Sequence, residues 1–451
     1  MNRSSQPDLL HGPLLKKIIL FALPVAAGSM LQQLFNSVDI AVVGRFAGND
    51  ALGAVGANAQ VIALFINLFV GASAGANVVV AHYIGSGERD RIGKAVHTSI
   101  MAACFAGIGI MLLCLGLAGP LLRLMNTPAD ILPLGILYLR VYAFSMPFVV
   151  LYNFGAAILR AIGDSRRPLM CLIISGAINA VLNLIFVIVF HMSVAGVALA
   201  TVIAQIISCV MVFHFLKKAG DPVAVHVRLL KIDWAELAKV LKIGIPAGLQ
   251  GTIFALANVC IQSSINSFGP DAVAGSAAGV NGEYFSFYLV MGFVQAAVTF
   301  VGQNYGAGKA DRCRRVWLLC TLGGALSAFT FNGLILIFRE AFCGLYTTDP
   351  VVLEYAVQRI SLVLGLHFLV ALYEVAGACL RGIGRSMTPT VICIVGTCVF
   401  RLLYLTFVMP VSHTLPTLYL VYPISWVITN VMTLTAYFLI TRKTYARLEA
   451  V

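Results

Sequence analysis

A few residues in this chain carry groups that can bind an ion or a charged molecule while the sequence around them is apolar. The stretch FNSVDIAVVG (35–44) contains Asp39, and Gln32, Asn36 and Asp39 follow an i, i+4, i+7 spacing that gathers them on one helical face. Asn179 and Asn183 lie one helical turn apart, and Thr201 follows the short loop HMSVAG. In the second half, Asn258, Gln262 and Asn266 form an amide stripe, and Glu283 and Arg401 interrupt later apolar runs. An Asp at the centre of a membrane helix costs roughly 2.5–3.5 kcal/mol on insertion scales, so one that is kept there is a functional hypothesis by default. Carboxylate, amide and hydroxyl oxygens can hold a proton or a hard cation such as Na⁺. The same groups can also serve as glue between helices, and both readings stand open for Asn179, Asn183 and Thr201.

The elements that must position these groups follow from composition. Of 451 residues, 60% are hydrophobic and 11% charged, against about 25% charged in soluble domains. Too little polar surface is available for a water-soluble fold. Twelve apolar runs are predicted as membrane-spanning helices, near 16–43, 53–84, 95–119, 132–156, 169–190, 194–216, 243–267, 273–305, 316–338, 352–378, 390–410 and 418–440. Most of the basic residues, from Arg3, Lys16 and Lys17 to Arg442, Lys443 and Arg447, fall in alternate connections. This pattern places both termini in the cytoplasm and assigns the +12 net charge to the membrane surface, with no nucleic-acid partner. The opening MNRSSQPDLLHGPLLKK is not expected to act as a cleavable leader, because the apolar stretch runs past any plausible cut. The eleven cysteines sit mostly inside predicted spans and are read as small apolar packing residues, with no metal-type spacing.

The chain is written twice. LYNFGAAILRAIGDSRRP (151–168) returns as LYEVAGACLRGIGRSMTP (372–389), with nine of eighteen positions identical at an offset of 221. The same offset maps YIGSGERDR (83–91) onto NYGAGKADR (304–312), and an offset of 222 pairs Pro24 with Pro246 and Asn36 with Asn258. Two homologous six-helix lobes are therefore expected, 1–216 and 243–451, joined by a cytoplasmic linker at 217–242. Six spans per half makes them parallel repeats about a pseudo-twofold axis along the membrane normal, with a substrate site expected between them. The glycine-rich loops follow membrane helices, and a Walker A loop needs other residues at Gln303 and Ala310. They are read as tight turns. No catalytic constellation appears, so no enzyme and no cofactor are expected.

Position along the runs gives depth. Asp39 is late in an outward-running helix, Asn183 is about 14 residues and hence roughly 21 Å into another, and Thr201 is about seven residues into an inward-running one. All three are expected to converge in the outer half of the first lobe. Glu283 and Arg401, about ten and eleven residues into oppositely directed helices, are expected at similar depth, either as an ion pair or as substrate contacts. Glu374, near an inner helix end, is read as structural.

With these features in place, the chain resembles a multidrug and toxic compound extrusion (MATE) family transporter of the bacterial kind over essentially its whole length. The resemblance is carried by ALPVAAGSMLQQLFNSVDIAVVGRFAGNDALGAVG (22–56), FVGQNYGAGKADR (300–312) and the duplicated LR-x-IG-x-S-xx-P loops. It implies two lobes rocking around a central cavity, and export of amphipathic, often cationic compounds driven by H⁺ or Na⁺ entry. It also implies a cation site at Asp39, Asn179, Asn183 and Thr201, and a bend in the first helix at Pro24. Many relatives carry Asp where this chain has Asn183, which leaves Asp39 as the main charge carrier; no metal beyond Na⁺ at Asp39 is implied. Gln32, Asn36, Asn258, Gln262, Glu283 and Arg401 are the expected cavity residues. The expected protein is a monomer in the cytoplasmic (inner) membrane whose partners are the bilayer and a small amphipathic substrate. The alternative is a flippase or exporter of lipid-linked or lipid-like precursors, whose cavity should carry a stronger basic lining.

Overall fold

The computed structural model describes residues 8–125 and 127–450, and of Gln60 the backbone only. Arg3 and the first turns of the opening segment lie outside the described residues. Every regular element among the described residues is helical. In chain order they are α1 (Leu14–Phe46), α2 (Asn49–Ser86), α3 (Arg89–Leu124), α4 (Leu132–Ala143), α5 (Met146–Ala161), α6 (Arg166–Leu184) and α7 (Ser193–Lys217). After the linker come α8 (Trp234–Asn266), α9 (Pro270–Gly306), α10 (Ala310–Ile337), α11 (Arg339–Gly344), α12 (Pro350–Val363), α13 (Leu369–Gly382), α14 (Met387–Cys393), α15 (Phe400–Phe407) and α16 (Leu415–Glu449). Among the described residues, ten helices or helix runs are long and apolar enough to cross a membrane. Two more spans are bent pairs, α4 with α5 at 46° and α12 with α13 at 47°, which brings the total to twelve. Each predicted run corresponds to one of them.

Two spans contain π-helical stretches. Ile185–Val189 continues α6, and Ile394–Val399 joins α14 to α15. A π-helical turn shifts the register of a helix face and recurs at functional sites. Here one begins two residues after Asn183, and the other ends two residues before Arg401.

The repeat is visible in the backbone. Gly48, Gly87 and Gly163 adopt positive φ, and so do Gly269, Gly308 and Gly384, each 221 residues later. These turns need a conformation that a Cβ disfavours.

The chain forms two compact units, one containing Ala27–Gly248 and the other Asp8–Ala26 with Leu249–Val451. These limits differ from the division drawn at 216 and 243 from the repeat. The start of α1 belongs to the second unit, whereas the linker and the start of α8 belong to the first. Each helix changes unit two residues past a proline, Pro24 in α1 and Pro246 in α8.

Glycine explains how each unit accepts the foreign segment. In the first unit, a Cβ on Gly71 of α2 would lie 2.4 Å from the Cα of Gly248, so the backbones of α2 and α8 touch. In the second, a Cβ on Gly292 of α9 would lie 2.5 Å from the carbonyl oxygen of Ala22 in α1. Gly71 and Gly292 are again 221 residues apart. Small residues at such crossings maximise dispersion contact where no hydrophobic force separates helix from lipid. Around them, the first unit has a core that includes Val43, Ala54, Leu139, Met146 and Val197. The second has one that includes Ile261, Val363, Leu418 and Tyr419.

Candidate functional site

In the first unit, the four residues of the expected cation site meet. Asn183, fully buried on α6, donates through Nδ2 to Asp39 Oδ1 and, at 3.3 Å, to Asn179 Oδ1 one turn earlier. Asn179 Nδ2 in turn reaches Thr201 Oγ1 on α7 at 3.4 Å. The Thr201 hydroxyl donates to the carbonyl of Val197 at 3.1 Å. Asp39 is the one acidic group in this chain of contacts, so the site can take up or release a single positive charge. Asn183 Oδ1 is buried and has no hydrogen-bond partner among the described residues. An orphaned buried acceptor is costly unless something outside the chain completes it, and a cation held by Asp39 is such a group. Tyr138 and Tyr142 stand within electrostatic reach of Asp39 and close the apolar side of the site.

The second unit holds a different arrangement, and here one expectation is corrected. Glu283 on α9 pairs with Arg359 on α12, not with Arg401: Arg359 Nε and Nη2 lie 2.6 and 3.1 Å from the two carboxylate oxygens. Arg359 Nη1 donates to Ser276 Oγ at 2.6 Å. Depth alone made Glu283 and Arg401 partners, but direction around the helix decides. Gly275, Gly279 and Glu283 fall at i, i+4, i+8 on α9, and the two glycines pack against Tyr355 and Arg359 of α12. That face therefore points at α12. Nothing in the spacing of basic residues singles out Arg359; the i+4 alignment of two glycines with a carboxylate is the signal that marks its partner helix.

Arg401, only 1% exposed, is held otherwise. Its Nε donates to Ser425 Oγ at 3.1 Å and its Nη1 to Asn258 Oδ1 at 3.2 Å. The guanidinium also lies 4.8 Å from the ring centre of Tyr422 and 5.3 Å from that of Phe254. Tyr422 serves both cations, since the Arg359 guanidinium is 5.4 Å from the same ring.

The remaining expected residues sit apart. Gln32 and Asn36 are exposed on α1. Gln262, exposed on α8, donates to Asn266 at 3.0 Å. Glu374 contacts Arg381 at 3.5 Å, and Arg381 reaches Gln250 at 3.2 Å. Pro24 lies inside the unbroken helix α1.

The repeated glycine loops hold neighbouring chain. At the first, Tyr83 donates to the Glu236 carboxylate at 2.7 Å, and Lys239 joins both. At the second, Asn304 Oδ1 accepts from Arg312 at 2.9 Å, while Arg312 and Lys309 donate to the carbonyls of Leu9, Leu10 and Gly12. Tyr83 and Asn304 are equivalent in the repeat. Each loop thus fixes the segment that leads into α8 or α1.

Comparison with known proteins gives consistent results. The family model described as MatE matches residues 24–185 and again 246–406. A probable multidrug resistance protein of Bacillus subtilis, YpnP, is 27% identical over 397 residues, covering 87% of this chain and 88% of that one. The probable multidrug resistance protein NorM of Thermotoga maritima is 26% identical, covering 86% and 84%. Multidrug export protein MepA of Staphylococcus aureus is 24% identical, covering 79% and 80%. Among solved structures, MATE in the straight conformation aligns with a TM-score of 0.90 at 22% identity over the full length of both chains. A MOP superfamily transporter of Pyrococcus furiosus, described as having a binding pocket of reverse polarity, aligns at 0.90 with 21% identity, again over both full lengths.

Proposed function

This chain belongs to the MatE family of membrane transporters, and on that premise we propose that it is a cation-coupled antiporter exporting small amphipathic molecules. It is a multi-pass membrane protein and a transporter, not an enzyme. The relatives named as multidrug resistance or export proteins support efflux of drugs and toxic compounds as its task.

The observation that carries the reading is the chain of contacts from Asp39 through Asn183 and Asn179 to Thr201. A cation entering down its gradient, H⁺ or Na⁺, is held by the Asp39 carboxylate. The amide oxygens of Asn179 and Asn183 and the Thr201 hydroxyl contribute further ligands when the ion is Na⁺. An ion drives a conformational cycle only if it binds the two end states unequally. Neutralising Asp39 removes the cost of a bare carboxylate among apolar helices, and so favours the arrangement in which the site is closed around the ion. Two units rocking against each other, with α1 bending at Pro24, would convert that preference into alternating access. The chain is proposed to work as a monomer in the cytoplasmic membrane with both termini inside.

The test is ethidium efflux from liposomes containing the purified protein, with pH and Na⁺ gradients imposed separately. The expected result is efflux driven by one gradient and abolished in Asp39→Asn. Coupled efflux that survives in Asp39→Asn would remove Asp39 from the mechanism.

A further inference from the structure

The second unit contains a buried cation that no carboxylate among the described residues neutralises. Both carboxylate oxygens of Glu283 are taken by Arg359, and Glu374 is taken by Arg381. Arg401 forms no ion pair among the described residues. A guanidinium keeps its charge and offers five N–H donors. Only Nε and Nη1 find oxygen acceptors, Ser425 and Asn258, and Nη2 meets none among the described residues. Two neutral hydrogen bonds and two aromatic faces offset only part of the several kcal/mol required to desolvate such an ion.

The surroundings are built and not incidental. The π-helical stretch Ile394–Val399 ends two residues before Arg401 and is pinned to α16. Gly396 packs so closely there that a Cβ would lie 2.7 Å from Thr429 Oγ1, and Thr397 and Thr429 hydroxyls meet at 3.1 Å. The guanidinium lies over the rings of Phe254, which is partly exposed, and of Tyr422, which is buried. Asn258, half-buried, caps the fork from α8, and Gln262 continues the polar strip one turn further to the exposed surface. The Asn258 amide oxygen is the neutral acceptor whose place on the guanidinium an arriving anion would take.

We propose that Arg401 is the anchor for an anionic group, carboxylate or phosphate, of an amphipathic substrate whose apolar body lies beside the partly exposed Phe254. The planar fork suits either group bidentately. This deepens the exporter reading by naming a substrate class, and it rests on that reading only for the direction of transport.

The test needs no gradient, so its failure is separable from failure of ethidium efflux. Purified full-length protein in nanodiscs of neutral lipid is titrated with 11-(dansylamino)undecanoic acid, with its primary amide and with the matching dansylalkyl phosphate. Energy transfer from Trp426, whose ring is 6.2 Å from that of Tyr422, reports binding. The acid and the phosphate are expected to bind about tenfold or more tighter than the amide, as a charge-assisted hydrogen bond implies. Arg401→Gln is expected to erase that preference. Asn258→Asp keeps Arg401 but gives it an internal carboxylate, and should erase the preference too; it decides the matter if Arg401→Gln does not fold. Equal binding of acid and amide by the wild type, or a preference that survives Asn258→Asp, overturns the proposal. Competition by phosphatidylglycerol alone identifies a lipid headgroup as the source of the anion, and competition by inorganic phosphate alone a soluble one.

Discussion

The polar cluster around Asp39 in the first unit and the one around Arg401 in the second have opposite sign. The first has one carboxylate, Asp39, ringed by Asn183, Asn179 and Thr201. The second unit has two carboxylates and three guanidinium groups, and Arg401 remains in excess after Glu283 pairs with Arg359 and Glu374 with Arg381. Yet the units descend from one ancestral sequence, with turn glycines, crossing glycines and prolines kept at an offset of 221 or 222. At the offset that aligns Asn36 with Asn258, the counterpart of Asp39 is Ile261, fully buried in an apolar core. Duplication preserved what holds helices together and released what lies inside. A cation held at Asp39 and an anion held at Arg401, as proposed above, would let one molecule distinguish the driving ion from the cargo by charge.

The comparison is broken most strongly by removing one carboxylate from each unit. Glu283→Gln leaves Arg359 buried against a neutral amide, and loss of one partner of a buried pair costs about 3–5 kcal/mol. Asp39→Asn leaves no stranded charge and should cost under about 1 kcal/mol, or stabilise slightly. Thermal unfolding in detergent should therefore show a large fall for Glu283→Gln and almost none for Asp39→Asn. Equal falls would mean that Asp39 is a structural charge like Glu283. Replacing both Glu283 and Arg359 by Met should recover much of the loss.

How much of this could be read in the sequence follows from the same residues. The apolar runs predicted every span, because length and composition suffice for crossing hydrocarbon. They did not predict that two spans are bent, since at Phe144–Ser145 and at His367–Phe368 the backbone bonds tighten to i→i−3 without ending the apolar run. Asp39, Asn183 and Thr201 were brought together by depth and by resemblance, and the structure unites them. Depth failed for Glu283, because rise along a helix says nothing of azimuth, and the helix face is set by glycine spacing. Exchange of the α1 and α8 starts between units was not legible at all: it depends on backbone contacts at Gly71 and Gly292, and the sequence shows only that both are glycine.

Those contacts give the next test. Gly71→Ala forces a Cβ to within 2.4 Å of the Gly248 Cα, and Gly292→Ala to within 2.5 Å of the Ala22 carbonyl oxygen. Backbone must move in both cases, and overpacking of this kind costs about 1–3 kcal/mol. Gly109 on α3 has open space where a Cβ would go, so Gly109→Ala should be neutral or stabilising by up to about 1 kcal/mol. Lowered unfolding temperatures for the first two and none for the third are the expected pattern. A fall at Gly71 alone would show that the two crossings have diverged along with the polar sites.

The mildest test makes the same chemical change, Asn to Asp, in both units and asks for opposite consequences. Asn183→Asp puts a second carboxylate beside Asp39, in a position with no exposure to solvent. Two like charges at contact distance cannot both remain bare, so the site must hold its cation more tightly. The concentration of coupling ion at half-maximal efflux should fall by about tenfold, or about 1.4 kcal/mol, with slower turnover as ion release becomes limiting. Asn258→Asp adds its carboxylate beside an unpaired guanidinium instead, where it completes an ion pair and closes the site to other anions. The added negative charge is thus an attraction for the cation in one unit and a competitor for the anion in the other. An ion dependence unchanged by Asn183→Asp, with efflux intact, would mean that the cation binds elsewhere than Asp39. The two polar interiors would then differ in composition without dividing the labour of transport.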